Sequence, residues 1–421
     1  MDGMTSGEGF GLLGEHLSHS FSPEIHRELG GYAYDLLPMP PEAVGDFLRQ
    51  RAFRGINVTI PYKQTVIPYL DRLSPRAEAL GAVNTIVKGP DGLLTGYNTD
   101  YAGFQAMLER LHPDIRGRKC LVLGSGGASH PVAACLRDLG AGDVRVISRR
   151  GEDNYTNLNR HRDACLLVNA TPVGMYPHNG ERLVNLDDFP ALCAVMDLIY
   201  HPARTALLLD AERRGIPHIN GLLMLVAQAR EASQLFTGRA VPLSEVDRVT
   251  FRLEARSRNL ILIGMPGSGK STVGRILAKR LGREWLDTDS MIESTAGRSC
   301  GDLIRQEGED AFRQRETAAL REAGKQSGKV ISVGGGAVTR PENRDLLRQN
   351  GWLIHLDRPP EVLSTAGDRP LSADRQALLQ RYTERKPLYE AWRDLAVSAD
   401  TPEKAADQIL AWLGDKSTLP G

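Results

Sequence analysis

The chain has 421 residues, too many for one compact core, so two or three domains are expected. Lys plus Arg and Asp plus Glu each total 52, a formal neutrality that argues against a general nucleic-acid or anionic-membrane surface and leaves only local basic patches open. The five cysteines are scattered, odd in number and never form a C-x-x-C pair, which argues against a disulfide framework or zinc site and fits a reducing cytoplasm.

Met1 to Gly14 shows no basic region followed by an apolar stretch, so no secretory signal is expected. No apolar run approaches the roughly 20 residues of a spanning helix, so the expectation is a cytoplasmic chain without a membrane or nucleic-acid partner. In chain order, Ser18-His19-Ser20-Phe21-Ser22-Pro23 offers small hydroxyls before a helix start, a setting suited to a carboxylate. The run Asn57-Val58-Thr59-Ile60-Pro61-Tyr62-Lys63 delivers a lysine just beyond a strand, and Asn98-Thr99-Asp100 places a carboxylate at a helix start. Phe104, Met107, Leu108 and Leu111 continue that helix at 3-to-4 spacing. A ketone reduction needs a proton donor beside the developing alkoxide, and a lysine paired with an aspartate supplies one.

Lys119-Cys120-Leu121-Val122-Leu123 reads as a buried strand, followed at once by Gly124-Ser125-Gly126-Gly127-Ala128-Ser129 and an apolar helix over 132–139. This approximates the dinucleotide fingerprint, with Ser129 in place of the third glycine. Further strands over 144–147, 166–168 and 194–196 predict a parallel sheet. The second strand ends in Ser148-Arg149-Arg150, where an NAD site carries an acid; two cations there suit a 2′-phosphate, so NADP is the expected cofactor. The other reading is an exposed basic turn. Leu222 to Phe236 and Ser244 to Arg256 read as helices, the second with Ser244 as N-cap. Leu260-Ile261-Leu262-Ile263 then opens a new unit, which puts the junction near Arg256 to Asn259 with no long tether.

Gly264-Met265-Pro266-Gly267-Ser268-Gly269-Lys270-Ser271 satisfies G-x-x-x-x-G-K-S/T between a strand and a helix (Thr272 to Leu281). Backbone N–H groups of such a loop cradle phosphates, Lys270 supplies a point charge to the β and γ phosphates, and the Ser271 hydroxyl suits Mg²⁺. Trp285-Leu286-Asp287-Thr288-Asp289 reads as a strand ending in two carboxylates, one to help hold hydrated Mg²⁺ and one to accept a substrate hydroxyl. Arg313 falls on a helix, and Gly334-Gly335-Gly336 follows the strand over 330–333.

The D-T-D, F-R, G-G-G, R-P-L and R-x-P-L-Y elements stand in the order of the shikimate kinase family, and residues 259–414 resemble it. The resemblance implies that Asp289, Arg313, Gly335 and Arg385 contact shikimate and that Asp289 takes the proton of the attacking hydroxyl. It also implies that Gly267, Ser268, Gly269, Lys270, Ser271 and Thr272 hold ATP, that Ser271 and Asp287 serve Mg²⁺, and that Arg369 in the lid reaches the phosphates. Two features depart from the family. The lid, Ser364 to Pro370, is short, and no arginine stands near Asp400 to Lys404 on the adenine side.

Residues 9–255 resemble shikimate dehydrogenase. S-x-S-P, N-V-T-x-P-x-K, G-A-V-N-T, N-T-D, G-x-G-G-A, N-A-T-P-x-G-M and Asn220-Gly221-Leu222 with Gln228 all occur in order. The resemblance implies that Ser20, Ser22, Thr59, Asn84, Asp100, Tyr200 and Gln228 bind substrate, with Lys63 as the proton donor or acceptor, supported by Asp100. Leu198 and Gly221 would line the nicotinamide, and Gly124, Ser125, Gly126, Gly127, Ala128, Ser148, Arg149 and Arg150 the rest of NADP(H). His130 and Pro131 stand where a basic residue is common, and the stretch Ser148 to Asn169 is short, reduced to an irregular connection through Tyr155 to His161.

The implied fold is α/β throughout. A shikimate dehydrogenase-like unit over 1–255 comprises a substrate domain (about 1–103 plus 230–255) and a Rossmann-type NADP domain (about 104–229). A P-loop NTPase-fold domain like the nucleoside monophosphate kinases follows over 256–421. The expected function is NADPH-dependent reduction of 3-dehydroshikimate to shikimate and ATP/Mg²⁺-dependent phosphorylation of shikimate, with these small molecules as the partners. Two alternatives stay open: a quinate or broader polyol dehydrogenase joined to a kinase of another hydroxy acid, and a binding or regulatory protein built from degenerate copies. Intact Lys63, Asp100, Lys270, Ser271 and Asp289 oppose the latter. The sequence leaves the oligomeric state open.

Overall fold

A computed structural model describes residues 9–17, 20–363 and 375–416. Among them, sixteen strands form three sheets. The first holds β1 (Phe10–Gly14), β2 (Tyr34–Pro38), β3 (Gly55–Val58), β4 (Arg72–Leu73), β5 (Thr85–Lys88) and β6 (Leu94–Tyr97) in the order β2-β1-β3-β5-β6-β4. β1 runs parallel to β2 and β3, while β5 runs antiparallel to β3 and β6. Leu13, Ile56, Val83 and Ile86 pack beneath it with Val44 and Leu48 of the helix Pro41–Gln50, all fully buried.

The second sheet is wholly parallel. It holds β7 (Lys119–Leu123), β8 (Asp143–Ile147), β9 (Leu166–Asn169), β10 (Ala194–Asp197) and β11 (His218–Ile219) in the order β11-β10-β9-β7-β8. The third is parallel too, with β12 (Asn259–Ile263), β13 (Trp285–Asp287), β14 (Val330–Ser332), β15 (Gly351–Leu356) and β16 (Leu395–Val397) in the order β13-β14-β12-β15-β16. Strands covered on both faces need apolar side chains at successive positions, and β9 and β12 are buried at every residue.

The chain divides into two compact units. One takes Met1–Val173, Arg182–Tyr200 and Asp210–Thr250, with the first two sheets; the other takes Gly174–Glu181, His201–Leu209 and Phe251–Gly421, with the third. Inside the second unit the short segments are held by hydrogen bonds, Tyr176 Oη donating to Gly324 O at 2.8 Å and Arg204 N–H to Gln349 O at 2.8 Å. Among the described residues no helix is long and apolar enough to cross a membrane.

Most predicted elements form where expected, and several boundaries move. The helix predicted from Ser244 runs Leu243–Ser257, so Ser244 lies inside its first turn instead of capping it. β13 stops at Asp287, because that side chain accepts the N–H groups of Asp289 and Ser290 and so caps the helix Thr288–Ala296. Asp289 therefore stands in a helical first turn, not at a strand end. The helices after the two glycine loops begin early, at Ser129 and at Lys270. Between β8 and β9 the only regular piece among the described residues is the 3₁₀ turn Leu158–His161, matching the shortened connection read from the sequence.

Candidate active sites

In the first unit, Lys63 follows β3, and its carbonyl accepts the N–H of Val83 at 2.8 Å. Its Nζ donates to Asp100 Oδ2 at 2.6 Å. Asp100 is the first residue of the helix Asp100–Leu111, where the helix dipole favours a carboxylate. Asn84 organises the pair. Its Oδ1 accepts the Thr99 N–H at 2.7 Å, which turns Nδ2 toward Asp100 Oδ1 at 2.9 Å and Gln228 Oε1 at 3.3 Å. Asn84 and Asp100 are almost fully buried, while the Lys63 side chain keeps 19% of its surface open. One face of the ammonium is thus fixed by a carboxylate, and the other remains accessible to a reactant.

Ser20 and Ser22 form a second cluster. Ser20 Oγ donates to Ser22 Oγ at 3.0 Å and accepts the Ser22 N–H at 3.2 Å, at the start of the helix Ser22–Gly30. The ring of Phe21 between them lies 5.8 Å from that of Tyr200, whose phenol is raised by burial. Thr59 directly follows β3, its N–H donating to Leu13 O at 2.9 Å. Ser18 and His19 lie outside the described residues.

On the dinucleotide side, the loop Gly124 to Ala128 joins β7 to the helix Ser129–Asp138. Ser129, in the third-glycine position, donates both its N–H (2.9 Å) and its hydroxyl (2.7 Å) to Gly126 O, which closes the turn without a glycine. A Cβ at Gly126 or Gly127 would meet nothing within 4 Å, so the loop borders open space. No side chain caps the helix, which leaves its N–H groups to phosphate. Ser148 directly follows β8 with its N–H on Asp153 O, and Arg149 and Arg150 are exposed beyond it. Across the sheet, Leu198 N–H donates to Asn169 O at 3.0 Å and Gly221 N–H to Ile199 O at 3.1 Å. A Cβ on Gly221 would stand 2.0 Å from Leu198 O, so only glycine allows this approach of strand end to helix start. These features fit NADP(H).

In the second unit, a cavity of about 420 Å³ is lined by Lys270, Ser271, Thr272, Asp287, Asp289, Arg313 and Arg385, together with Gly267, Gly269 and the glycine triplet at Gly335. Lys270 Nζ donates to the loop carbonyls of Gly264 (2.9 Å) and Met265 (3.0 Å). Ser271 Oγ donates to Asp287 Oδ2 at 2.9 Å, which brings together the two residues expected to serve Mg²⁺. Two oxygens are too few for the ion alone, and phosphate and water would complete its shell. Asp289 is ringed by protein yet open to water in the cavity; crowding, then the charges of Asp287 and Glu316, push its carboxyl up to about 6.

Arg313 and Arg385 are both nearly buried. Burial alone would lower the Arg313 guanidinium, but the ion pairs to Glu316 (2.6 Å) and Glu309 (2.9 Å) outweigh it and raise it. Arg385 is lowered, by burial first, against the pull of Tyr389 and with the repulsion of Arg313. It donates to Gly335 O at 3.1 Å, beside Tyr389 Oη at 2.5 Å from the same oxygen. Two buried cations in one wall suit a carboxylate ligand. A Cβ on Gly336 would fall 2.1 Å from the Arg313 guanidinium, so this glycine makes room for that group.

Glu316 was not foreseen from the sequence, although its i, i+3 spacing from Arg313 on one helix was a readable signal. It is fully buried, and its second oxygen lacks a hydrogen-bond partner. A narrower cleft beside the loop is lined by Ser268, Val273, Arg358, Thr401 and Pro402, and Arg358 donates to Asp400 O at 3.1 Å. That arginine stands just past β15, not in the 400–404 stretch. Arg369 and the short lid lie outside the described residues.

Fold and sites together define a dinucleotide-linked oxidoreductase joined to a P-loop phosphotransferase. A family model described as shikimate dehydrogenase substrate binding domain matches residues 12–86, and one described as shikimate kinase matches residues 266–414. The chain is 36% identical over 269 residues to shikimate dehydrogenase (NADP(+)) of Clostridium perfringens (strain SM101 / Type A), covering 59% of this chain and 98% of that protein. It is similar to the solved chorismate mutase/shikimate 5-dehydrogenase fusion of Clostridium acetobutylicum (TM-score 0.56, 34% identity, 59% of this chain and 98% of that one). It is also similar to shikimate 5-dehydrogenase of Thermus thermophilus, solved with NADP(H) and shikimate (TM-score 0.53, 35% identity, 58% and 98%). The chain belongs to the shikimate dehydrogenase family and continues into a shikimate kinase domain, an oxidoreductase and a kinase in one polypeptide.

Proposed function

We propose that this chain reduces 3-dehydroshikimate to shikimate with NADPH and phosphorylates shikimate at its 3-hydroxyl with ATP and Mg²⁺, residues 1–255 serving the first reaction and 256–421 the second. The observation that carries the reading is the Lys63–Asp100 ion pair, locked by Asn84 and Gln228. When bound, NADPH supplies the hydride and MgATP the phosphoryl group. Lys63 gives its proton to the oxygen that was the ketone, and Asp100 holds the ammonium in place and offsets its charge. Ser20, Ser22, Thr59 and Tyr200 bind the substrate's carboxylate and hydroxyls, and Asn84 and Gln228 complete the ring. Leu198 and Gly221 form the platform against the nicotinamide.

In the kinase half, Arg313 and Arg385 hold the shikimate carboxylate, and Glu316 keeps Arg313 in position. Lys270 would exchange its loop carbonyls for phosphate oxygens, and the cleft at Arg358 and Pro402 takes the nucleotide base. Asp289 accepts the proton of the attacking hydroxyl, so it must be ionised. The phosphorylation rate should therefore fall about tenfold per pH unit as pH drops below about 6, and stay level above it. A rate independent of pH between about 5 and 8 would remove Asp289 from this role.

The balanced charge and five free cysteines support a cytoplasmic enzyme of small molecules, without nucleic-acid or membrane partners. Cofactor choice provides the direct test of the first reaction. Replacing Arg149 and Arg150 together with glutamine should raise the KM for NADPH by roughly ten- to a hundredfold, the worth of a charge-assisted phosphate contact of about 1.5–3 kcal/mol. The KM for NADH should barely move. Equal effects on both cofactors would show that the 2′-phosphate binds elsewhere.

A further inference from the structure

Three thiols of the second sheet stand together, apart from the residues assigned to either reaction. Cys120 is the second residue of β7, Cys165 immediately precedes β9, and Cys193 immediately precedes β10. Cys165 N–H donates to Lys119 O at 2.8 Å and Cys193 N–H to Cys165 O at 2.8 Å, so the last two lie side by side. Their thiols aim at one atom: Asp114 O lies 3.6 Å from Cys165 Sγ and 4.0 Å from Cys193 Sγ. The Cys165 thiol lies between those of Cys120 and Cys193 and is influenced by both. Cys120 and Cys165 are fully buried, whereas Cys193 is partly open to solvent.

Ala194 is registered with Leu166, so one step back along the register pairs Cys193 with Cys165. Directly paired positions on neighbouring strands fall within the Cα separation a disulfide spans, about 4.4–6.8 Å. The two thiols differ in acidity. The neighbouring Cys120 thiol, opposed by burial and helped by Arg118, lowers the Cys165 thiol, whereas burial raises that of Cys193. Solvent reaches Cys193 but not Cys165, so a small molecule meets Cys193 first.

We infer that Cys165 and Cys193 are a thiol–disulfide exchange site for small-molecule disulfides, with Cys193 as the entry thiol and Cys165 as the resolving thiol. Cys193 loses its proton to solvent, attacks one sulfur of the small disulfide, forms a mixed disulfide and expels the other half as thiolate, which takes up a proton. The Cys165 thiolate then attacks the Cys193 sulfur, closes the Cys165–Cys193 bond and expels the second half. The protein gives up two hydrogens and two electrons, and the small disulfide is reduced to two thiols. The bond forms where β9 and β10 begin; Asn169, Asp197 and Leu198, which shape the nicotinamide side, stand where these strands end.

The full chain is incubated with glutathione disulfide over a series of ratios to glutathione, quenched in acid, digested without reduction and analysed by mass. A peptide pair joined through Cys165 and Cys193 is expected, while Cys135 and Cys300 stay unlinked. Cys165→Ala should accumulate glutathione on Cys193, and Cys193→Ser should form no protein disulfide. The oxidised chain should keep NADPH oxidation and melt at a higher temperature, falling back on addition of reductant. A link from Cys120 to Cys165, glutathione persisting on Cys193 in the unaltered chain, or no reaction at Cys193 would each overturn the inference; the unaltered chain alone decides this.

Discussion

Lys63→Ala should slow the reduction of 3-dehydroshikimate by about a hundred- to ten-thousandfold, the range spanned by loss of a positioned general acid. The reason lies in the geometry: Lys63 Nζ is held 2.6 Å from Asp100, and Asp100 is held by Asn84. Alanine removes the proposed proton donor and leaves Asp100, almost fully buried, without its counter-ion. The loss should therefore fall mainly on kcat, with a smaller rise in KM for the substrate. Phosphorylation of added shikimate should proceed at the unaltered rate, since Lys63 belongs to the other unit. Stopped-flow or steady-state absorbance of NADPH measures the first effect, and a coupled assay of ADP release the second. A Lys63→Ala chain that still reduces the ketone at a tenth of the normal rate or faster would assign the proton to another group.

Lys270→Ala should give the converse result. Its ammonium stands at the mouth of the glycine loop, within reach of Gly264 O and Met265 O and among the residues lining the cavity. Removing one fixed donor from a developing oxyanion costs about a hundred- to a thousandfold in turnover, and phosphoryl transfer carries its charge on those oxygens. NADPH oxidation should stay intact. Mixing the Lys63→Ala and Lys270→Ala chains should restore both steps, because each supplies the reaction the other lacks. Normal kinase turnover in the Lys270→Ala chain would mean that the nucleotide binds away from this loop.

Much of the second and third sheets was legible because parallel strands buried on both faces must be apolar at consecutive positions, as in Cys120-Leu121-Val122 and Leu260-Ile261-Leu262-Ile263. The first sheet was harder to read. β4 is two residues long, and β2 exposes Asp35 and Leu36, so neither shows a clear period. The Lys63 cluster joins Asn84 to Gln228 across 144 residues, a pairing that only ordered motifs could suggest. Polar residues with two uses were misread. Asp289 was read as the end of a strand, but that strand stops at Asp287, whose carboxylate caps the next helix and so places Asp289 on it. Arg358 was overlooked because its cleft is assembled from β15, the glycine loop and the 397–405 stretch, which only the fold brings together.

The central claim is that one polypeptide carries both reactions on one metabolite. The most direct measurement gives the purified chain 3-dehydroshikimate, NADPH, ATP and Mg²⁺ together and identifies every product by mass over time. The account predicts shikimate 3-phosphate as the end product, with NADPH and ATP consumed in equal amounts and shikimate accumulating when ATP is left out. A product that stops at shikimate with all reagents present, or unreacted 3-dehydroshikimate alongside rapid oxidation of quinate, would contradict it.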